Sequence, residues 1–533
     1  MKLCLDSLKN TEAWGNIKLP KYDVEKVTEN THKNPVWLHF GAGNIFRGFI
    51  ASLQQSLLDN GLSETGIIAA DTFDYEIIDN IFKAYNNLTV SASLLPDGSV
   101  ESEVIASVCE ALKADITDEN EMARFHEIAK SPSLQMISFT ITEKGYAVKN
   151  TQGELTPLVV ADIKEGPKHA RHAMSFVTGL MLERYKAGKL PVALVSMDNC
   201  SHNGEKLKSS VMTIANGWVE NGFADKEFLD YLNDESVVSF PWSMIDKITP
   251  RPSEKVEAIL TDSGLEEMSP IITSKKTFIA PFVNAEKPQY LVIEDSFPNS
   301  RPQLEKAGVY MTDRDTVNNV ERMKVTTCLN PLHTALAVYG CLLGYTLICE
   351  EMKDEDLVKL VKKLGYDEGL PVVTDPGILS PKAFIDEVIS ERLPNPFMPD
   401  APQRIATDTS QKVGIRFGET IKSYEANGNV DKLTAVPLAI AGWLRYLLGI
   451  DDEGKPMEIS NDPLKDELCS ALSGIELGKP ESVSGQLDKI LSNSEIFGTD
   501  LVRNGLSKKI TEIFLKEISG AGAVRATLKE YLA

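Results

Sequence analysis

At 533 residues, with 42% hydrophobic and 25% charged positions and no low-complexity tract, the chain has the composition of a folded protein of two or three domains. Its formal charge of -22 excludes a binder of nucleic-acid phosphate that works through basic patches, and any anionic ligand must be held by a local cluster of Lys and Arg. The 7 cysteines form no C-x-x-C pair and the 7 histidines have no ligand spacing, which points to reduced thiols in a cytoplasmic setting and to no metal.

The N-terminal stretch "MKLCLDSLKNTEAWGNIKLP" lacks the apolar segment of a secretion signal. Beyond it, "VWLHF" (36–40), "GIIAAD" (66–71), "QMISFTIT" (135–142) and "PVALVSMD" (191–198) read as buried parallel strands. Amphipathic stretches such as "RGFIASLQQSLLDNG" and "DENEMARFHEIAKSP" lie between them. Strands alternating with helices predict an α/β doubly wound sheet, which "KTFIAPFV" and "QYLVIEDSF" would extend. After "FPNSRPQLEKAG" (297–308) helical periodicity takes over, as in "DEDLVKLVKKLG", "PKAFIDEVISERL" and "LTAVPLAIAGWLRYLLG". Two domains are therefore expected, 1–300 and a mostly α-helical 301–533. The longest apolar run, "TALAVYGCLLGYTLIC" (334–349), is too short for a membrane span and reads as a core helix.

The first strand runs into Gly41-Ala42-Gly43, but Phe46 stands where a third glycine of G-x-G-x-x-G would be, with Arg47 after it. Gly41 and Gly43 let a backbone approach a pyrophosphate at a helix N-terminus, and Arg47 adds a charged donor beside Asn44. Asp71 ends the next strand, where an acid bonds the adenosine ribose and repels the extra phosphate of NADP, so NAD is favoured. In "ERMKVTTCLNPLHTALA", Pro331 forbids a helix running through, so Asn330-Pro331 reads as an N-cap and first helical residue. The new helix sets Asn330 and His333 on one face, and Glu321 and Lys324 are i, i+3 on the preceding turn. On an unbroken helix, Lys324 would point about 120° away from Asn330. Downstream, Arg404, Lys412 and Arg416 cluster in an otherwise acidic chain.

"GAGNIFRG", "TITEKGY" (140–146), "SMDNCSHNGEKL" (196–207), "FPWSMIDKITP" (240–250) and "ERMKVTTCLNPLHTALA" (321–337) occur in the order found in the polyol-specific long-chain dehydrogenases, and the chain resembles that family from about residue 36 to the 420s. The resemblance implies a metal-independent oxidoreductase with an N-terminal Rossmann-type domain and a mostly helical C-terminal domain. It implies Lys324 as the proton-transfer group, Asn330, His333 and Asn199 as donors to the reacting oxygen, and Glu321 as a proton exit behind Lys324. Asp246 matches a family acid near the substrate hydroxyls, and Arg404 with Lys412 the pair that binds the far end of the substrate; Arg416 is a candidate third member. One departure stands out: the family motif has four residues between its Lys and Asn, whereas Val325, Thr326, Thr327, Cys328 and Leu329 intervene here.

Within the family, Asn-Ile-Phe-Arg-Gly is closer to the hexuronate reductases. The expected reaction thus interconverts D-fructuronate and D-mannonate, with D-tagaturonate and D-altronate, or a neutral polyol, as alternatives. β-Hydroxyacid dehydrogenases also pair such domains with a lysine and an asparagine, but their third glycine and short Lys-to-Asn spacing are absent. A noncatalytic NAD-binding sensor is the alternative of another class. Neither a membrane nor a nucleic acid is expected as partner, and the chain is expected as a monomer or small homo-oligomer.

Overall fold

Short runs of β-branched and aromatic residues in the first part of the chain pair into one six-stranded parallel sheet. In the computed structural model, which describes residues 1–95 and 97–533, its strands are β1 (Trp37–Phe40), β2 (Ile67–Asp71), β3 (Val108–Lys113), β4 (Met136–Phe139), β5 (Val192–Ser196) and β6 (Val238–Ser239). The spatial order is β3-β2-β1-β4-β5-β6, with every pairing parallel. That is the doubly wound order whose direction reverses between β1 and β4, and ligands of such sheets bind beyond the strand ends at that reversal. Phe40 pairs with both Ala70 and Phe139, so the turns after β1, β2 and β4 emerge side by side.

The period of two along each strand divides the core. Leu38, Phe40, Ile137, Phe139 and Leu194 face one helical layer, with Phe125, Met174, Val211 and Trp218. Trp37, Ile67, Ala69, Met136 and Val195 face the other, with Phe46, Phe49, Ile50 and Leu53. β3 is absent from the sequence reading because "VCEALK" carries Glu, Ala and Lys, which favour helix over strand. The expected extension by "KTFIAPFV" and "QYLVIEDSF" does not occur. Phe282–Glu286 pairs in parallel with Thr89–Leu94, and Tyr290–Glu294 pairs with Ser243–Asp246 and Tyr310–Thr312, making two small separate sheets.

The chain falls into two compact units, residues 1–95 with 99–318, and 97–98 with 319–533. The Pro-rich turn at 297–308 therefore does not end the first unit. Leu304 and Val309 pack in its core, and Tyr310–Thr312 adds a strand to it. Among the described residues of the second unit there is no strand, and its helices include Asn330–Leu342, Glu355–Lys362, Ala435–Tyr446 and Leu506–Glu517. "TALAVYGCLLGYTLIC" contributes to the buried Asn330–Leu342. No helix among the described residues is long and apolar enough to cross a membrane.

A buried carboxylate organises this unit. Glu368 accepts hydrogen bonds from the backbone N–H groups of Thr434, Ala435 and Val436, the open N-terminus of Ala435–Tyr446. Glu368→Ala leaves those donors buried and unpaired, and should lower the unfolding free energy by about 3 kcal/mol in denaturant titration. Glu368→Gln, which keeps one acceptor oxygen, should lose less.

Candidate functional site

The glycine turn after β1 is held from two sides. Gly41 has φ +100, and a Cβ there would lie 2.2 Å from the Thr140 carbonyl oxygen at the end of β4. Only glycine permits that approach and that dihedral together. Below the turn, His39 is fully buried between Ser138 Oγ (2.6 Å) and Thr140 Oγ1 (2.9 Å). Burial pushes its pKa down to about 3, so it is a neutral strut. Gly43, in contrast, faces open space: nothing lies within 4 Å of a Cβ placed on it.

The chain is helical from Asn44 onward, and its first-turn N–H groups have no intrahelical acceptor. The Asn44 side-chain Oδ1 is buried without a hydrogen-bond partner. An uncovered glycine and open helical N–H groups are what a dinucleotide pyrophosphate would use, so the residues present fit a nicotinamide cofactor.

Asp71, at the end of β2, is buried and ties this turn together. Its Oδ2 accepts from Ala42 N–H at 3.2 Å, and its Oδ1 accepts from Phe73 and Asp74 N–H, each at 2.8 Å. Burial raises its pKa despite these three donors. Phe46 and Arg47, the residues that follow the glycine turn, both pack inward. Phe46 is fully buried and stacked on His39 at 4.2 Å. Arg47 also points inward: its Nε donates to Thr89 Oγ1 (3.1 Å) and Nη2 to the Ala280 carbonyl (2.7 Å). Both follow from a wide π turn over Phe46–Ile50, which rotates these side chains into the core beneath the turn.

The loops after β4 and β5 are locked by Asp198, which the sequence reading passed over. Its carboxylate accepts from Ile141 N–H (2.8 Å), Thr142 N–H (3.1 Å) and the Tyr146 hydroxyl (2.6 Å). An acid closing the strand in "VSMD" was the available signal. Asn203 donates to the carbonyls of Asp198 and Ser243 and accepts from Ser243 N–H, tying "SMDNCSHNG" to "FPWSMID". It is a structural amide, whereas Asn199, on the same loop, is exposed. Asp246 ends the strand Ser243–Asp246 and is buried.

In the second unit, Lys324 opens a second π turn, Lys324–Cys328. Leu329 N–H reaches back five residues to the Lys324 carbonyl (3.1 Å), and Leu329 leaves helical geometry at φ -131. A π turn takes in one residue more than an α turn, so the extra residue of "KVTTCL" is absorbed without shifting either flanking helix out of phase. Lys324 is buried, and Glu321 stands one turn before it, half-buried. The next helix begins at Asn330 itself with Pro331 second; Leu329 occupies the cap position and no side chain caps it. Asn330 is thus not the N-cap, and its amide is not taken up by capping.

The first turn of that helix gathers most of the other candidates. His333 Nε2 lies 3.4 Å from Asp400 Oδ2, within ion-pair reach but off hydrogen-bond geometry. Asp400 also receives the Arg404 guanidinium. Burial pushes the Asp400 carboxyl up, but His333 and Arg404 together bring it below its ordinary pKa. Arg404 is thereby held by an acid, with its side chain 63% exposed. Arg416 donates to the Thr334 hydroxyl, which in turn donates to the Asn330 carbonyl (2.9 Å). Lys412 donates to the Thr407 carbonyl.

Among the described residues neither Lys412 nor Arg416 makes an ion pair, and burial lowers the pKa of both. Nearby Arg416 lowers that of Lys412 further. Asp400 and Thr334 were not singled out in the sequence, although Asp400 stands four residues before Arg404, the spacing of a helical ion pair. Among the described residues no cluster of His, Cys, Asp and Glu could hold a metal ion.

Residues 36–306 match the family described as the mannitol dehydrogenase Rossmann domain, and 316–517 match the mannitol dehydrogenase C-terminal domain. D-mannonate oxidoreductase of Thermotoga maritima is 53% identical, covering 99% of this chain and 99% of its own. A D-sorbitol dehydrogenase solved in substrate-free form superposes with a TM-score of 0.80 at 25% identity, covering 96% of this chain and 97% of its own. Mannitol 2-dehydrogenase of Pseudomonas fluorescens, solved as a ternary complex with NAD and D-mannitol, superposes with a TM-score of 0.69 at 26% identity, covering 100% of this chain and 99% of its own.

Gly41→Ala should lower stability by about 2 kcal/mol or more and abolish nucleotide binding, because it strains the dihedral and drives a methyl into the Thr140 carbonyl. Thermal melting and NADH fluorescence titration check the two effects separately.

Proposed function

This chain is an oxidoreductase of the mannitol dehydrogenase family, and from that premise we propose that it interconverts D-fructuronate and D-mannonate with NAD as cofactor. The observation that carries the sugar-acid reading is Arg416, a largely buried cation with no ion pair among the described residues, beside the partly buried Lys412, whose nearby acids Asp408 and Asp462 stand outside ion-pair reach. A buried guanidinium facing no anion is costly, and a carboxylate ligand relieves that cost through charged hydrogen bonds. Arg404, already held by Asp400, supports the surface of this cluster instead of binding the ligand. A neutral polyol would leave the buried Arg416 guanidinium without a counter-charge. The 53% identity to a D-mannonate oxidoreductase supports the same substrate class.

NADH, when bound, supplies the hydride. Gly41, Gly43 and Asn44 would hold its pyrophosphate, and Asp71 Oδ2, which accepts one N–H bond, would have a lone pair left for a ribose hydroxyl. Reduction of a ketone develops negative charge on its oxygen. In the second unit the Asn330 amide and His333 donate to that oxygen, and Lys324 gives it a proton and takes the proton back in the reverse direction. The Asp400 carboxylate beside His333 would hold its ring in place. Glu321 relays the proton between Lys324 and water. Asp246 orients the hydroxyls of the substrate.

Lys324→Ala should lower kcat for D-fructuronate reduction by about 10²- to 10⁴-fold with NADH binding intact. Near-normal turnover in a folded variant would overturn its role. Arg416→Met should raise KM for the sugar acid by about 10- to 100-fold, as loss of a charged hydrogen bond predicts, with little effect on a neutral ketose. An equal effect on both substrates would remove the carboxylate assignment.

A further inference from the structure

Phe73 is the most exposed of the large hydrophobic side chains among the described residues, at 66%, and it lies two residues beyond Asp71. Its backbone is not loose, since Phe73 N–H donates to Asp71 Oδ1 at 2.8 Å. An aromatic ring pinned at its backbone and presented to solvent at the end of β2 is out of place as core packing. Residues 271–279, distant in sequence, come back to the same point. They form a small antiparallel hairpin, Ile271–Ile272 with Phe278–Ile279. The hairpin turn is tight, with Thr273 N–H donating to the Thr277 carbonyl and Lys276 N–H to the Thr273 carbonyl.

This turn is fastened to the segment after Asp71 at successive positions. The buried Thr273 hydroxyl donates to Asp74 Oδ2 at 2.6 Å, and Ser274 N–H donates to Glu76 Oε1 at 3.0 Å. Lys275 then sets its ammonium 5.3 Å from the centre of the Phe73 ring. An exposed aromatic face and a lysine thus stand beside the acid that sets cofactor preference. "AADTFDY" carries no basic residue that would accept the extra phosphate of NADP; the hairpin brings one in from about two hundred residues away, the reach of a tertiary contact and not of a motif.

We propose that this hairpin closes the adenosine end of the cofactor site, with Phe73 as the face on which adenine stacks and Lys275 as the cation beside the ribose 2′ position. The inference rests on the nicotinamide-cofactor reading above. It has a specific consequence: Asp71 alone enforces NAD, because the cation that would welcome a 2′-phosphate is already in place. Asp71 repels the phosphate, and Lys275 is held on the exposed Phe73 face by a cation–π attraction that is exchangeable for a stronger, charged phosphate contact.

The test is the ratio of NADPH to NADH affinity, read by nucleotide fluorescence titration, which needs no turnover and no identified substrate. Asp71→Asn keeps the shape, removes the charge and leaves one oxygen to accept from the Phe73 and Asp74 N–H groups, losing only the 3.2 Å bond from Ala42 N–H. It should move the ratio toward NADPH by 10-fold or more. Adding Lys275→Glu to it should cancel that gain, and Phe73→Ser should weaken both nucleotides alike. Thermal melts of each variant establish that it is folded, and Lys275→Met supplies a milder second change that should cancel most of the gain. If the gain survives both changes at Lys275 while the unaltered protein binds NADH, the hairpin assignment is overturned and the cofactor reading stands. If the unaltered protein binds neither nucleotide, both fall.

Discussion

The wide turn at Lys324–Cys328, closed by Leu329 N–H on the Lys324 carbonyl, is the constraint on which the second unit depends. A regular α-helix through these residues would carry Lys324 and Asn330 to different faces, and Pro331 would clash with the preceding turn. The π turn accommodates one residue too many, and the break at Leu329 lets a new helix begin. From that beginning follow the positions of Asn330, His333 and Thr334 within one turn, and through them those of Asp400 and Arg416. Strain and local unwinding of this kind concentrate where side chains must be aimed rather than packed.

The first unit solves its positioning problem with buried carboxylates. Asp71 gathers three backbone N–H groups at the glycine turn, and Asp198 gathers two with a tyrosine hydroxyl across the loops after β4 and β5. Glu368 does the same at a helix start in the second unit. Each is desolvated, which raises its pKa, and each is stabilised by the donors it collects. In a chain of net charge -22, these acids serve as internal acceptors that hold loop backbone in place, while the buried Arg416, which makes no ion pair among the described residues, stands on a segment packed against the Lys324–Cys328 turn.

Strong periodic signals were legible without the structure. The four long apolar runs are β1, β2, β4 and β5, and Gly41 stands where the backbone approaches another strand most closely. Tertiary pairing was not legible. β3 carries helix-forming residues and becomes a strand because β2 offers it an edge, and the two later apolar runs find partners in 89–94 and 243–246 instead of the main sheet. Side-chain direction was the other blind spot. Nothing in "GNIFRG" reveals a π turn, so Arg47 reads as a phosphate ligand when it is bonded to Thr89 and Ala280. Arg404 and Arg416 look equivalent in sequence, yet an acid four residues upstream occupies one and leaves the other.

The most direct measurement of the central claim is oxidation of NADH at 340 nm with D-fructuronate, D-tagaturonate and D-fructose in parallel. The account predicts turnover on D-fructuronate, with kcat/KM well above that on D-fructose, because only the acid meets Lys412 and Arg416. Turnover on D-fructose alone would contradict it and return the enzyme to neutral polyols.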